Sequence, residues 1–263
     1  QIWRKISRNV LVDDNRALFL NGDPQGEYAL RQAIGSYLHS ARGVRCRPDQ
    51  IIIGAGSEYL LMLLSLILGG DRVIAMDVRK GPLMRAQEHV IQFGMEEQIE
   101  TRLSDGLEKL MPGEAKTVII AGMGGELMLR ILRDGEHVRK EIRHWILSPQ
   151  SELSQFRHGL EELGLAIIRE EMVEEDGKYY TILTAEPGQM HYEKESDYRY
   201  GALLIQEKSP VLAELLEREL TQYRQILEHL EQQKGEGPRL RAVQIQEEIR
   251  QMEEARNAMQ TVD

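Results

Sequence analysis

A single cysteine, Cys46, stands among 263 residues, which excludes an internal disulfide and any zinc site built from cysteines. That scarcity fits a reducing cytoplasm. Long apolar runs are also missing: the longest, Tyr59 to Leu68, is broken by Gly69, Gly70 and Asp71, well short of the ~20 residues a bilayer crossing needs. The amino terminus, Gln1-Ile2-Trp3-Arg4, has neither an apolar signal core nor an initiator methionine, so the chain is expected to begin inside a longer reading frame or to be processed. Nor is there an excess of basic charge. A net charge of -10 argues against a nonspecific nucleic-acid coat, because phosphate contacts require clustered Lys and Arg, but it leaves room for one local basic face. What is present, 41% hydrophobic and 29% charged residues in 30.2 kDa, suits a soluble globular protein with one full core and a small second one.

Charge is unevenly spread. Residues 1–70 carry 8 basic and 6 acidic side chains, against 25 and 37 in the remainder. Within that acidic remainder, Arg130, Arg133, Arg139, Lys140, Arg143 and Arg157, with His137, His144 and His158 nearby, form the best candidate for a phosphate-gripping face. An ordinary solvated helix surface is the plainer alternative.

Asp23-Pro24 followed by Leu30, Ile34, Tyr37, Leu38 and Ala41, then Gly43, predicts a capped amphipathic helix that stops on glycine. Gln50-Ile51-Ile52-Ile53 predicts a short buried strand; Gly54-Ala55-Gly56-Ser57 turns the chain into an apolar helix from Glu58 to Leu68; Arg72 to Met76 predicts the next strand. Gly81-Pro82 opens another helix, and strands are expected at Ile99 to Leu103 and Thr117 to Ala121. This alternation predicts a mostly parallel sheet covered on both faces, with ligands gathered at the carboxyl ends of its strands. Later strands are expected at Trp145 to Leu147, Ala166 to Ile168 and Tyr179 to Leu183, the last two as an antiparallel pair around Glu174-Glu175-Asp176-Gly177. In the tail, Ser209-Pro210 caps a helix with Leu212, Leu216, Leu220, Tyr223, Leu227 and Leu230 at steps of three or four. Gly235-Glu236-Gly237-Pro238 interrupts it, and Ala242, Ile245, Ile249, Met252 and Met259 repeat the pattern, which predicts an antiparallel coiled-coil hairpin.

Three places could carry chemistry. Asp77 ends a strand 23 positions after Gly54, near the ~20-residue interval at which an acidic residue accepts hydrogen bonds from ribose hydroxyls; a plain tight turn at Gly54-Ala55-Gly56 is the alternative. Ser104-Asp105-Gly106 follows the next strand and offers either a second carboxylate, aimed at an exocyclic amino group, or a helix cap. Gly122-Met123-Gly124-Gly125 after an apolar strand favours a substrate-facing loop, since so many glycines forfeit packing unless something must come close.

The segments Ala75-Met76-Asp77-Val78-Arg79-Lys80-Gly81-Pro82-Leu83, Ser104-Asp105-Gly106-Leu107, Ile120-Ala121-Gly122-Met123-Gly124-Gly125, Ile146-Leu147-Ser148-Pro149-Gln150 and Glu174-Glu175-Asp176-Gly177-Lys178-Tyr179-Tyr180 together resemble the bacterial TrmK-type tRNA methyltransferases, from about Arg72 to Asp263. The resemblance implies a Rossmann-like α/β class I methyltransferase domain with a carboxy-terminal coiled coil, S-adenosyl-L-methionine as cofactor, and N1 of a tRNA adenine as the atom methylated. It implies cofactor contacts at Asp77 and Val78 (ribose), Ser104, Asp105 and Gly106 (adenine), and Ala121, Gly122 and Met123 (methyl-transfer site). Gly124, Gly125, Arg130, Arg133, Arg139, Lys140, Arg143 and Arg157 are then expected on the tRNA side. A carboxylate near this loop, which the sequence does not identify, is expected to offset the positive charge on the product; no metal or membrane partner is expected.

The family's first motif, an acidic residue and glycines followed by Asp-His-x-Tyr-Leu-Pro, has no counterpart before Asp77. In its place Gly22 to Gly69 resembles part of a fold-type-I pyridoxal-phosphate aminotransferase domain of the kind fused to GntR-type regulators. Aminotransferase chemistry is excluded there, because it requires a Schiff-base lysine and the only lysine before Arg72 is Lys5, upstream of the resembling segments. The expected organisation is residues 1–70 as a fragment lending a surrogate strand, turn and helix, with Ile51 to Ile53 in the central strand position, then 71–188 as the methyltransferase domain and 189–263 as the coiled coil. Three functions stay open at this point: a tRNA adenine-N1 methyltransferase, impaired or not by its replaced first motif; an inactive tRNA-binding protein; and a regulator remnant holding a pyridoxal-type phosphate at Gly54 to Ser57.

Overall fold

The computed structural model describes residues 28–42, 46–50, 72–92, 94–175, 177–233 and 235–260. Of the strand expected from Gln50 to Ile53, Gln50 instead closes a 3-10 turn; Ile51 to Ile53, the Gly54–Ser57 turn and the following helix lie outside the described residues. The chain divides into two compact units, Gln1–Arg102 and Leu103–Asp263.

In the first unit, α1 (Tyr28–Arg42) is followed by a single 3-10 turn, Pro48–Gln50, to which Arg31 is tied by a 2.9 Å hydrogen bond from Nη1 to the Pro48 carbonyl. Strands β1 (Val73–Asp77) and β2 (Ile99–Leu103) pair into a two-stranded sheet, with α2 (Lys80–Gln92) between them in sequence. The turn from β1 into α2 is fixed by the Asp77 carboxylate, whose Oδ1 accepts from the Arg79 amide at 2.6 Å.

The second unit is built on a four-stranded sheet of order β3-β4-β6-β5, formed by β3 (Thr117–Met123), β4 (His144–Pro149), β5 (Leu165–Glu175) and β6 (Lys178–Pro187). Only β3 and β4 run parallel; β6 pairs antiparallel with both β4 and β5, so among the described residues of this sheet the expected parallel character is confined to one pairing. Alternation explains the faces: Trp145, Leu147 and Pro149 of β4 are buried while their neighbours are not. Helix α3 (Gly125–Asp134) turns Met128, Leu129 and Leu132 inward at helical spacing and leaves Arg130 and Arg133 outside. The short α4 (Glu136–Arg139) leads into β4, and α5 (Leu153–Glu162) buries Phe156 and Leu160. A Cβ on Gly159 would stand 2.5 Å from a Leu129 methyl, so glycine there lets α3 and α5 pack closely.

Beyond the sheet come α6 (Glu195–Tyr200), α7 (Ala202–Gln206), α8 (Pro210–Glu231) and α9 (Glu236–Gln260). Ser209 caps α8 by accepting from the Leu212 amide, and Pro210 sits where a missing N–H costs nothing. The inward stripe of α8 (Leu212, Leu216, Leu220) and that of α9 (Ile245, Ile249, Met252) share a second core with Met172 of β5. The ion pairs Arg224–Glu253 and Arg256–Glu217 run between the two helices at 2.7 and 3.4 Å. Arg218 clasps the β5–β6 tip: its guanidinium lies 4.5 Å from the Tyr179 ring centroid and donates to the Gly177 carbonyl at 3.2 Å.

A buried ion pair joins sheet to helices. Arg157 of α5 and Glu170 of β5 are both fully buried, Nε to Oε1 2.8 Å. The guanidinium also donates to the Tyr198 and Arg199 carbonyls at 2.7 and 3.1 Å, and Glu170 Oε2 accepts the Leu203 amide at 3.2 Å. Arg157 is therefore not part of a phosphate-gripping surface, contrary to the sequence expectation; its charge is spent inside the protein, stopping one short helix and starting the next.

Candidate active site

The carboxyl ends of β3 and β4 carry two loops that lie against each other. β3 is broken near its end by a register shift between Ala121 and Met123, where Gly122 adopts φ +79°, a left-handed backbone that L side chains rarely take. Among the described residues other than its two chain neighbours, no atom lies within 4 Å of the position a Cβ on Gly122 would occupy, so on that side this glycine is open beside Met123. Across from it, the Gln150 amide donates to the Met123 carbonyl at 3.0 Å, and the Gly125 amide donates to the Ser151 carbonyl at 3.2 Å. A Cβ on Gly124 would meet Ser151 Oγ at 2.9 Å and Glu152 Oε2 at 3.5 Å; one on Gly125 would meet the Ser151 carbonyl oxygen at 2.7 Å. The glycine cluster thus serves two ends. Gly122 is open, whereas Gly125 is buried and small because the β4–α5 loop must close on it, so Gly125 does not face a substrate as expected.

The loop after β2 divides in the same way. Ser104 is buried, its hydroxyl donating to the Gly106 carbonyl at 2.9 Å and accepting from the Lys109 amide at 3.1 Å, so its side chain shapes the turn and is not free for a cofactor. A Cβ on Gly106, at φ +52°, would strike Ile131 at 2.9 Å, so packing requires glycine there while its half-buried backbone stays reachable. Asp105 between them is exposed, its Oδ1 3.4 Å from Arg130 Nη2 on α3. In the first unit, Asp77 is half-buried at the end of β1 with one oxygen engaged by the Arg79 amide, and Val78 is exposed.

The basic residues do not form one face. Arg130 reaches Asp105, and Arg133 lies 3.6 Å from Glu162. Arg139 donates from Nη1 to the Leu132 carbonyl at 2.9 Å, closing the end of α3. Arg139, Lys140 and Arg143 all precede β4, and the Arg143 and His144 amides both bond to the Lys116 carbonyl just before β3. They belong to the amino ends of these parallel strands, roughly 17 Å from the glycine loops at about 3.3 Å per residue. This corrects the expectation of one continuous basic surface.

The sequence reading marked Ser148-Pro149-Gln150 only as part of a resemblance and passed over Ser151 and Glu152. The available signal was their position directly after a strand that parallels β3, where open α/β sheets gather ligands. Among the described residues no group of three or more His, Cys, Asp or Glu is placed to hold a metal ion, and no helix is long and apolar enough to cross a membrane.

Residues 52–254 match the model of the TrmK family, tRNA (adenine(22)-N(1))-methyltransferase. The tRNA (adenine(22)-N(1))-methyltransferase of Bacillus subtilis strain 168 is 32% identical over 189 residues, 68% of this chain and 78% of that protein. The crystal structure of Streptococcus pneumoniae Sp1610 in complex with S-adenosyl-L-methionine superposes with a TM-score of 0.67 at 30% identity, covering 78% of this chain and 90% of that one. A short likeness of another kind is also found: a B. subtilis HTH-type transcriptional regulator, YhdI, is 47% identical over 66 residues, 25% of this chain but 14% of the regulator, consistent with the expected resemblance of a short segment to such regulators. With the family pattern running through most of its length and a relative of known class matched over more than two thirds, the chain belongs to the TrmK family of tRNA (adenine(22)-N(1))-methyltransferases.

Proposed function

We propose that this chain transfers a methyl group from S-adenosyl-L-methionine to N1 of an adenine in tRNA. The observation that carries the reading is the pairing of an open, left-handed Gly122 with the Pro149–Glu152 loop at the carboxyl ends of two parallel strands, inside a stretch matched to that family. The donor set of the second unit suits the cofactor: exposed Asp105 can accept from an adenine amino group, and Gly122 offers approach without a side chain. Asp77, in the first unit, is assigned to ribose hydroxyls through its second carboxylate oxygen on the family resemblance. When bound, the cofactor supplies a methyl group made electrophilic by its positively charged sulfur. Adenine N1 is a neutral nucleophile at pH 7, so the protein's task is to aim it, and the backbone from Ala121 to Gly124 is assigned to that aiming. Arg130 and Arg133 are assigned to flanking phosphates while the target base is drawn out of its stack.

For the whole chain we assign residues 1–70 as an aminotransferase-like fragment, 71–188 as the methyltransferase domain and 189–263 as an antiparallel coiled-coil hairpin, with tRNA in the cytoplasm as the partner. The inverse order of the Arg224–Glu253 and Arg256–Glu217 pairs supports the antiparallel arrangement. An inactive tRNA-binding role and a pyridoxal-type remnant are not favoured, because the family match runs through the loops assigned to chemistry. The test is incubation of the purified chain with unmodified tRNA and methyl-labelled donor, followed by nucleoside mass spectrometry. Label in N1-methyladenosine is expected; label only in another nucleoside, or none, overturns the reading.

A further inference from the structure

Glu152 holds a backbone that glutamate rarely adopts. Its φ of 53° and ψ of 42° are left-handed, and among the described residues Lys208 alone shares a positive φ without being glycine. It occupies the cap position of α5, yet its carboxylate makes no capping hydrogen bond. The side chain instead turns to the β3–α3 loop, where Oε2 lies 3.5 Å from the point a Cβ on Gly124 would fill, and it accepts a hydrogen bond from the Ser151 hydroxyl. It is exposed on that side. Strain of this kind persists where the surrounding structure enforces it, and it clusters at working sites. A carboxylate that has given up its cap, is steered by a neighbouring hydroxyl and borders the methyl-transfer loop has the placement of a group that meets substrate.

We infer that Glu152 is a catalytic residue: its carboxylate accepts a hydrogen bond from the exocyclic amino group of the target adenine and offsets the positive charge that methylation places on the base. The inference rests on the functional reading above. In the step, the N1 lone pair forms the bond to the methyl carbon while the carbon–sulfur bond breaks and its electron pair stays on sulfur. The positive charge passes from sulfur to the adenine ring, spread over N1, C6 and the amino nitrogen; the amino protons remain in place. A carboxylate bonded to that amino group pushes electron density toward N1 in the ground state and is bound more tightly as charge develops, so it acts mainly on the rate and little on affinity.

Single-turnover methylation is measured with saturating tRNA and donor for the parent, Glu152→Gln and Glu152→Gly, with tRNA and donor affinities and melting temperatures determined alongside. Glu152→Gln is expected to slow methyl transfer by about 10²–10³-fold, the range for removing one preorganised charge-stabilising group, with both affinities within about twofold of the parent. Glu152→Gly relieves the left-handed strain, so it is expected to raise the melting temperature while slowing transfer, which a purely structural cap residue would not do. A tRNA carrying unsubstituted purine in place of the target adenine lacks the amino group; on it, the difference between parent and Glu152→Gln should shrink to less than about threefold. A Glu152→Gln protein within about threefold of the parent on normal tRNA overturns the inference. So does a loss that appears wholly as weaker tRNA binding, or a rate difference that survives intact on the purine substrate. A parent that methylates no tRNA overturns the functional reading and the inference together, whereas an active parent matched by its Glu152 variants overturns the inference alone.

Discussion

Replacing Glu170 by Gln removes the negative partner of Arg157 while keeping the shape of the side chain. Both residues are fully buried, and the guanidinium would then face only carbonyls and an amide inside the protein, with its Nη2 already lacking a hydrogen-bond partner among the described residues. Breaking one side of such a pair costs about 3–5 kcal/mol, because the remaining charge stays out of water without its counter-ion. For a unit of this size each kcal/mol lowers the melting temperature by about 2–4 °C, so Glu170→Gln should melt about 6–20 °C below the parent. The double variant Arg157→Met/Glu170→Leu removes both charges together and should recover at least half of that loss, since apolar groups of similar volume cost little where a buried pair stood. Differential scanning calorimetry of the three proteins decides the matter. A Glu170→Gln protein melting within about 2 °C of the parent would refute the reasoning. A double variant no more stable than the single one would refute it equally.

Leu216, fully buried between α8, α9 and the sheet, should cost about 2–5 kcal/mol as Leu216→Ala, seen as a lower urea midpoint with little change in slope. The Tyr198 hydroxyl first, and His191 second, hold the Glu161 carboxyl below its ordinary range. That contribution to stability is complete above the unfolded carboxylate value near ~4.3 and fades as pH falls through and below it, so Tyr198→Phe should flatten the melting-temperature profile on the acid side and match the parent's slope near neutrality. Gly122→Ala meets no described residue beyond its chain neighbours but is forced to a left-handed backbone; a loss of about 1–2 kcal/mol by chemical denaturation, with donor affinity measured by calorimetry falling at least tenfold, is the expected pair of results.

Much of the second unit was legible because its strands are β-branched runs bounded by glycines and its helices carry apolar stripes at the right period. The Thr117–Met123 strand, the helix beginning at Pro210 and the β5–β6 pairing follow from these local signals. What failed depended on partners distant in sequence. Arg157 reads as a surface cation until Glu170, thirteen residues on, is folded against it. Lys140 and Arg143 sit close to Arg130 in the chain, yet the run of β4 puts them at the other end of the strands, so nearness in sequence misled about nearness in space. Gly124 and Gly125 suggested room for a ligand, but two glycines can equally let one loop close on another, and only the position of Ser151 distinguishes the cases. Glu152 left no trace of its own, because its backbone conformation is imposed by that same loop closure.

The clasp of Arg218 on the Tyr179 ring and the Gly177 carbonyl has a mechanical consequence. It pins the far end of the β5–β6 ribbon to a long helix, much as a strut braces a cantilever. Any displacement of that helix is thereby coupled to the ribbon, whose β6 strand lies next to β4.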